Sequence, residues 1–150
     1  MRVGVLSDTH NLLRPRVLEL LAGCERILHA GDVGDLPVLE QLRRIAPVEA
    51  VRGNTDAGPV AATLPETLSG ALSGLPFRMV HRREDIDPAW ISQARLLVFG
   101  HSHRPELSWQ GRCLLLNPGA CGPRRFHLPL TLAILEVAGN RIVPEILAVE

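Results

Sequence analysis

The chain has no lysine and no tyrosine, and only three phenylalanines and two tryptophans among its 150 residues. All 16 basic side chains are arginine, and 16 acidic ones balance them to a formal net charge of zero. Such a balance leaves no positive footprint for nucleic acid or an anionic membrane surface, so neither is indicated as a partner. Long apolar runs are missing too. No stretch free of Asp, Glu and Arg exceeds 11 residues, against the roughly 20 needed to span a bilayer. The N-terminus reaches Asp8 after the short apolar run Val3-Gly4-Val5-Leu6, which is too brief for a signal-peptide core. Cys24, Cys113 and Cys121 form neither an even framework nor a Cys-x-x-Cys pair. That usage fits a reducing compartment, so a cytoplasmic protein with small, buried, unpaired cysteines is expected.

What is present is aliphatic. With 46% hydrophobic and 3% aromatic residues, the core must come from Leu, Val, Ile and Ala. A chain of this length buries about 68–70% of its unfolded surface, and one domain over residues 1–150 is the expectation. The first third alternates strand and helix signals. Strands are expected at Arg2–Ser7, Arg26–Ala30 and Val48–Val51, with helices opening near Pro15 and Pro37 between them, the pattern of a parallel α/β sheet. Gly58, Pro59 and Pro65 predict a loop over Ala57–Pro65. A turn-rich hairpin is expected between Thr67–Leu68 and Phe77–Val80, around Ser69-Gly70 and Ser73-Gly74. A short helix at Pro88–Ala94 and a strand at Arg95–Phe99 come next. Strands at Glu106–Trp109, Arg112–Leu116, Leu130–Val137 and Arg141–Ala148, with turns at Gln110-Gly111 and Gly139-Asn140, make the remainder mostly antiparallel.

The informative pattern lies just past the end of each strand. Ser7-Asp8-Thr9-His10 comes after the first, Gly31-Asp32 after the second and Gly53-Asn54 after the third. His81 comes after Phe77–Val80, and Gly100-His101-Ser102-His103 after Leu96–Phe99. Residues beyond the carboxyl ends of strands in an α/β sheet converge on one crevice, so five strand ends deliver two Asp, one Asn and four His to one place. Those are metal-ligand types. Gly31, Gly53 and Gly100 each precede such a residue and would let the backbone turn sharply there. Taken singly, each of these residues has a blander role as a cap, turn or satisfied histidine. His29, within a strand, and His127, in a Pro-flanked loop, keep that blander role.

In this order, these five segments, with Gly53-Asn54-Thr55-Asp56 read in full, resemble the motifs of the calcineurin-like metallophosphoesterases. The compact length and Asn117-Pro118-Gly119-Ala120 are similar to the small bacterial and archaeal phosphodiesterase branch of that family. The resemblance runs from residue 3 to about residue 124. It implies a four-layer α/β/β/α sandwich of two mixed sheets flanked by helices, with two divalent metal ions at the sheet edge. One ion would take Asp8, His10, Asp32 and His103; the other would take Asp32, Asn54, His81 and His101, with Asp32 shared. Asn54, His81 and Asp32 are also the residues it implies for catalysis. The mixed donors suit borderline ions, Mn²⁺ first, with Fe²⁺, Ni²⁺, Zn²⁺ and Co²⁺ as alternatives.

The implied reaction is hydrolysis of a small phosphoester, most readily a phosphodiester, by a hydroxide activated between two metals. A phosphomonoesterase on the same site and a non-catalytic, retromer-subunit-like scaffold are the competing readings. The complete set of seven metal-binding residue types argues against the scaffold. A nucleotide-binding Rossmann module fails, because no Gly-x-Gly-x-x-Gly comes after the first strand. Relatives often form dimers or tetramers, and a homo-oligomer stays open. Two positions depart from the family pattern. Thr55 stands where many phosphatases of the superfamily carry a histidine, and Arg82 comes directly after His81 where glycine is usual. Arg82 is expected to stand in solvent, and Asp56 to hold Thr55 or a ligand histidine.

Overall fold

The computed structural model describes all 150 residues, which form two five-stranded mixed sheets. In the first sheet the order is β10-β9-β1-β2-β3, where β1 is Arg2–Leu6, β2 Arg26–His29, β3 Val48–Ala50, β9 Thr131–Ala138 and β10 Arg141–Ala148. In the second it is β4-β5-β6-β8-β7: β4 Thr67–Leu72, β5 Leu75–Val80, β6 Leu96–Val98, β7 Glu106–Gln110 and β8 Cys113–Asn117. Strands β1, β2 and β3 run parallel, as the intervening helices α1 (Pro15–Leu21) and α2 (Leu36–Arg43) require.

Alternation along the strands creates the layers. Val3 and Val5 of β1 face the second sheet, meeting Phe77, Met79, Leu114 and Leu116 in a shared core. Leu6 and Ile27 face the other way, onto Val17 and Leu21 of α1 and Leu39 and Leu42 of α2. A smaller third core lies outside the second sheet, where Leu97, Phe99 and Leu115 pack under Trp90 and Ile91 of the short helix α4 (Trp90–Gln93). Helix, sheet, sheet, helix is the four-layer arrangement that the resemblance implied. All three cysteines are buried and unpaired, and burial pushes the Cys121 thiol up to about 12. No helix is long and apolar enough to cross a membrane.

Two expectations need correction. Residues Gly58–Thr63 form a helix, α3, within the expected loop. Pro59 starts it instead of breaking it, since a first-turn proline gives up no helical hydrogen bond, and Val60 is drawn into the core. Ser69-Gly70 lies inside β4, opposite Arg78 and Phe77, and the hairpin turns only at Ser73-Gly74, both with positive φ. The second half of the chain is mostly antiparallel, as expected, in β4-β5, β7-β8, β9-β10 and the pairing of β9 with β1. Only the centre of the second sheet, β5-β6-β8, is parallel.

Candidate metal centre

The loops after β1, β2, β3, β5 and β6 lie along one edge of the sandwich, the first three from one sheet and the last two from the other. Two groups of side chains gather there, Asp8, His10 and His103 in one and Asp32, His81 and His101 in the other. Within each group the donor atoms all lie within 4.8 Å of one another. The Asp32 Oδ2 sits between the groups, 3.7 Å from His10 Nε2 and 3.2 Å from His81 Nε2. Asn54 completes the second group: its Oδ1 is 2.9 Å from His81 Nε2 and 3.0 Å from His101 Nδ1. All seven residues singled out in the sequence thus meet at one place. Asp8, Asp32, His81 and His103 are buried, whereas His10 and His101 are half-buried and Asn54 is exposed.

The backbone is strained where these residues sit. Asp8, His10, Asp32, His101 and His103 all have positive φ, between 43° and 71°, a region that residues with a Cβ seldom occupy. Such strain persists only where the surroundings over-determine it. The glycines act mainly through crowding. Gly31 does turn with φ +102°, but a Cβ on Gly53 would lie 2.1 Å from Asp32 Oδ1, and one on Gly100 would lie 2.8 Å from Asp8 Oδ2. Their bare backbones let the carboxylates pack against neighbouring loops.

Backbone and hydroxyl donors hold each carboxylate through one oxygen only. Asp8 Oδ2 accepts from the Ser7 hydroxyl at 2.7 Å and the His101 backbone N–H at 3.1 Å, and Asp32 Oδ1 accepts from the Thr55 N–H at 2.9 Å. Asp8 Oδ1, His10 Nε2 and His103 Nδ1 are buried with no hydrogen-bond partner. Buried polar atoms are rarely left so, and an orphaned carboxylate oxygen beside an orphaned imidazole nitrogen suits a cation between them.

His81 tells the same story through its protons. Its Nδ1 lies 2.7 Å from the Ala30 carbonyl oxygen and so donates to it. Its Nε2 then faces two oxygens, those of Asn54 and Asp32. A neutral ring would turn a lone pair onto both, a repulsion that only a cation at Nε2 removes. Without metal that cation is a proton. Burial pushes the His81 pKa down, but the Asp32 hydrogen bond, the Ala30 carbonyl and the nearby carboxylate charges outweigh it and raise the pKa overall. For Asp32, burial pushes upward, while the His81 and Thr55 hydrogen bonds prevail and hold it well below the usual carboxylate range. The donor set therefore fits divalent cations.

Several supporting residues were not legible in the sequence. Thr9, between Asp8 and His10, points into the core, where its hydroxyl donates to the Val33 carbonyl and accepts from His29 Nε2. His29 Nδ1 in turn accepts from the Gly31 N–H. His29 is thus a satisfied core histidine beneath the centre, and burial lowers its pKa to about 4. The available signal was alternation, since a residue between two outward ligands points inward. The Asp56 carboxylate makes no hydrogen bond to Thr55 or to a histidine, contrary to expectation. It accepts from the N–H groups of Val33, Gly34 and Gly53, tying two loops together. Asn117 does the same for the histidine loop, donating to the Gly100 carbonyl and the Ser102 hydroxyl. His127 lies exposed in the loop before β9 and apart from the centre. Arg82 is half-exposed, 3.8 Å from Glu84, and lines a hollow beside Asn54 and His81.

Residues 1–140 match the model of the calcineurin-like phosphoesterase superfamily domain. The chain belongs to this superfamily. As a calcineurin-like phosphoesterase it is 29% identical to a probable metallophosphoesterase of Methanothermobacter thermautotrophicus, over 98% of this chain and 92% of that one. Its fold is similar to that of an archaeal phosphodiesterase, with a TM-score of 0.81, 22% identity and coverage of 98% and 100% of the two chains. It is also similar to that of Chaetomium thermophilum Vps29, with a TM-score of 0.79, 17% identity and coverage of 98% and 97%. Family and donor chemistry together imply divalent metal ions and hydrolysis of phosphoric esters.

Proposed function

We propose that this calcineurin-like phosphoesterase is a dinuclear phosphodiesterase formed by one domain. Asp8, His10 and His103 would hold one ion, Asn54, His81 and His101 the other, and Asp32 would serve both, with Mn²⁺ as the first candidate. The observation that carries the reading is Asp32 Oδ2, within 3.7 Å of His10 Nε2 and 3.2 Å of His81 Nε2, one carboxylate oxygen facing both donor groups. Two bound cations supply neutralisation of the phosphoryl charge and an acidified water. Asn54, exposed at the mouth, orients the substrate, and the Thr55 N–H fixes the carboxylate of Asp32.

Preference for diesters is supported by the residue next to Asn54. Thr55 presents an exposed side chain with no acidity near neutral pH, so no residue there protonates a leaving alkoxide. General-acid help typically contributes 10²–10⁴-fold, and an alkyl monoester suffers most from its absence. Two separate hollows of about 310 Å³ flank the centre, one including Asn54 and His81 and the other His10 and Thr55. That provides room for a substituent on either side of a phosphate.

Rates on diesters and monoesters paired by the same leaving alcohol, with Mn²⁺ supplied, test the reading. Diesters are expected to react faster, and Thr55→His to raise monoester hydrolysis relative to diester hydrolysis. Faster alkyl-monoester turnover by the unmodified protein would reverse the assignment to a monoesterase on the same centre.

A further inference from the structure

We propose that the hollow beside Asn54 and His81 is a subsite for a hydroxyl-rich substituent of the substrate, a small polyol arm such as a 1,2-diol. The inference rests on the diesterase reading and adds the chemical class of one substituent. The hollow measures about 310 Å³, and Val80 is the one hydrophobic residue in its wall. No Phe, Tyr or Trp side chain lines it and the His81 ring is buried, so a nucleobase finds little stacking surface, and an alkyl or lipid chain finds little to bury against.

Charge in the wall cancels, with Arg52 and Arg82 against Glu66 and Asp85, so an ionic substituent gains little. One of these pairs is already spent: Arg52 binds Glu66 at 3.0 Å and the Ala61 carbonyl at 3.3 Å. The other is not. The Arg82 guanidinium makes no hydrogen bond, only a 3.8 Å approach to Glu84, and the Asp85 carboxylate has neither a hydrogen bond nor an ion pair. Five N–H donors and a carboxylate acceptor, none of them in a hydrogen bond within the protein, therefore line one hollow. A hydroxyl group both donates and accepts, and a vicinal diol can bond to a guanidinium and a carboxylate together. The Thr67 hydroxyl in the same wall adds a further group of mixed character.

The test compares two non-hydrolysable mimics of a diester, 2,3-dihydroxypropyl methylphosphonate and propyl methylphosphonate. Each is titrated calorimetrically into the Mn²⁺-loaded protein. The diol compound is expected to bind about tenfold tighter, the scale of a hydrogen bond to a charged group. In the Arg82→Gln, Asp85→Asn double variant that ratio is expected to fall below about twofold, while affinity for the propyl compound stays within about twofold. Equal affinities in the unmodified protein overturn the subsite, as does a ratio that survives the double variant. Weakening of both compounds alike in Arg82→Gln would instead assign Arg82 to the phosphate and also overturn it. Rates on bis(p-nitrophenyl) phosphate and p-nitrophenyl phosphate, measured on the same preparation, separate this failure from failure of the diesterase reading.

Discussion

In the half of the centre formed by Asp8, His10 and His103, three buried polar atoms have no hydrogen-bond partner. In the half formed by Asp32, Asn54, His81 and His101, short contacts run from Thr55 through Asp32, His81 and Asn54 to His101, and His81 is anchored again at Ala30. The first half is held in place from outside, by the Ser7 hydroxyl, the His101 N–H and strained backbone, and its inner faces are unsatisfied. The second half cross-links itself. Preorganisation can thus be achieved either by rigid supports around an unsatisfied hole or by a proton standing in for a cation. A metal relieves desolvated, unpaired atoms in the first case and displaces a proton in the second.

The carboxylate common to both halves should matter most. Asp32→Asn is expected to lower metal-dependent phosphoesterase activity by orders of magnitude and to reduce bound metal from two ions per chain, while the circular dichroism spectrum is retained. Metal analysis of protein purified without chelator checks this, and full occupancy in the variant would remove the shared role of Asp32.

A smaller effect comes from the wall beneath the two halves, where His29 and Thr9 tie the loop of the first to that of the second. The His29 pKa is about 4 in the folded protein, against about 6.5 when unfolded. Only the unfolded chain then takes up a proton as pH falls below 6.5, so stability drops progressively from there towards pH 4. Between pH 7 and 5 this should cost about 2 kcal/mol in metal-free protein. Urea unfolding of His29→Gln should show that much less pH dependence than the unmodified chain. Identical pH slopes would mean that His29 is not the group responsible.

The smallest effect sharpens the comparison directly. Asp8→Asn places an amide where the unpaired oxygen now faces three imidazoles, and relief of a buried unsatisfied charge is worth about 1 kcal/mol. In chelator this variant should melt about 2–4 °C higher than the unmodified protein, yet gain less on addition of Mn²⁺. A lower melting temperature in chelator would show that the first half is already satisfied without metal.

Much of this architecture is legible in short stretches of sequence. Strand β10 runs over Arg141–Ala148 as expected, and β1, α1, β2 and β3 keep the expected order within a residue or two. Local rules suffice there, because period-2 alternation, first-turn prolines and glycine turns are properties of short segments. They fail where one residue type serves two ends. Pro59 reads as a breaker but starts α3, and Gly70 reads as a turn but lies mid-strand, where a Cβ would stand 2.9 Å from the Phe77 ring. Which role prevails depends on whether a partner such as Phe77 arrives from elsewhere in the chain.

The seven donors could be named from the sequence because each stands just past a strand, and strand direction sends them all towards one edge. Which donors stand together could come only from the tertiary structure. Asp8 and His103 are 95 positions apart in the chain, yet His103 Nε2 lies 3.4 Å from Asp8 Oδ1. That contact exists because two sheets pack face to face through Val3, Val5, Leu114 and Leu116, bringing their strand ends level. Likewise, Thr55 and Arg82 are visible as departures from a pattern, but the sequence is silent on what Arg82 faces. Local periodicity fixes the direction of a side chain from its own strand. The distance between side chains on different sheets is set by the packing of the core between them.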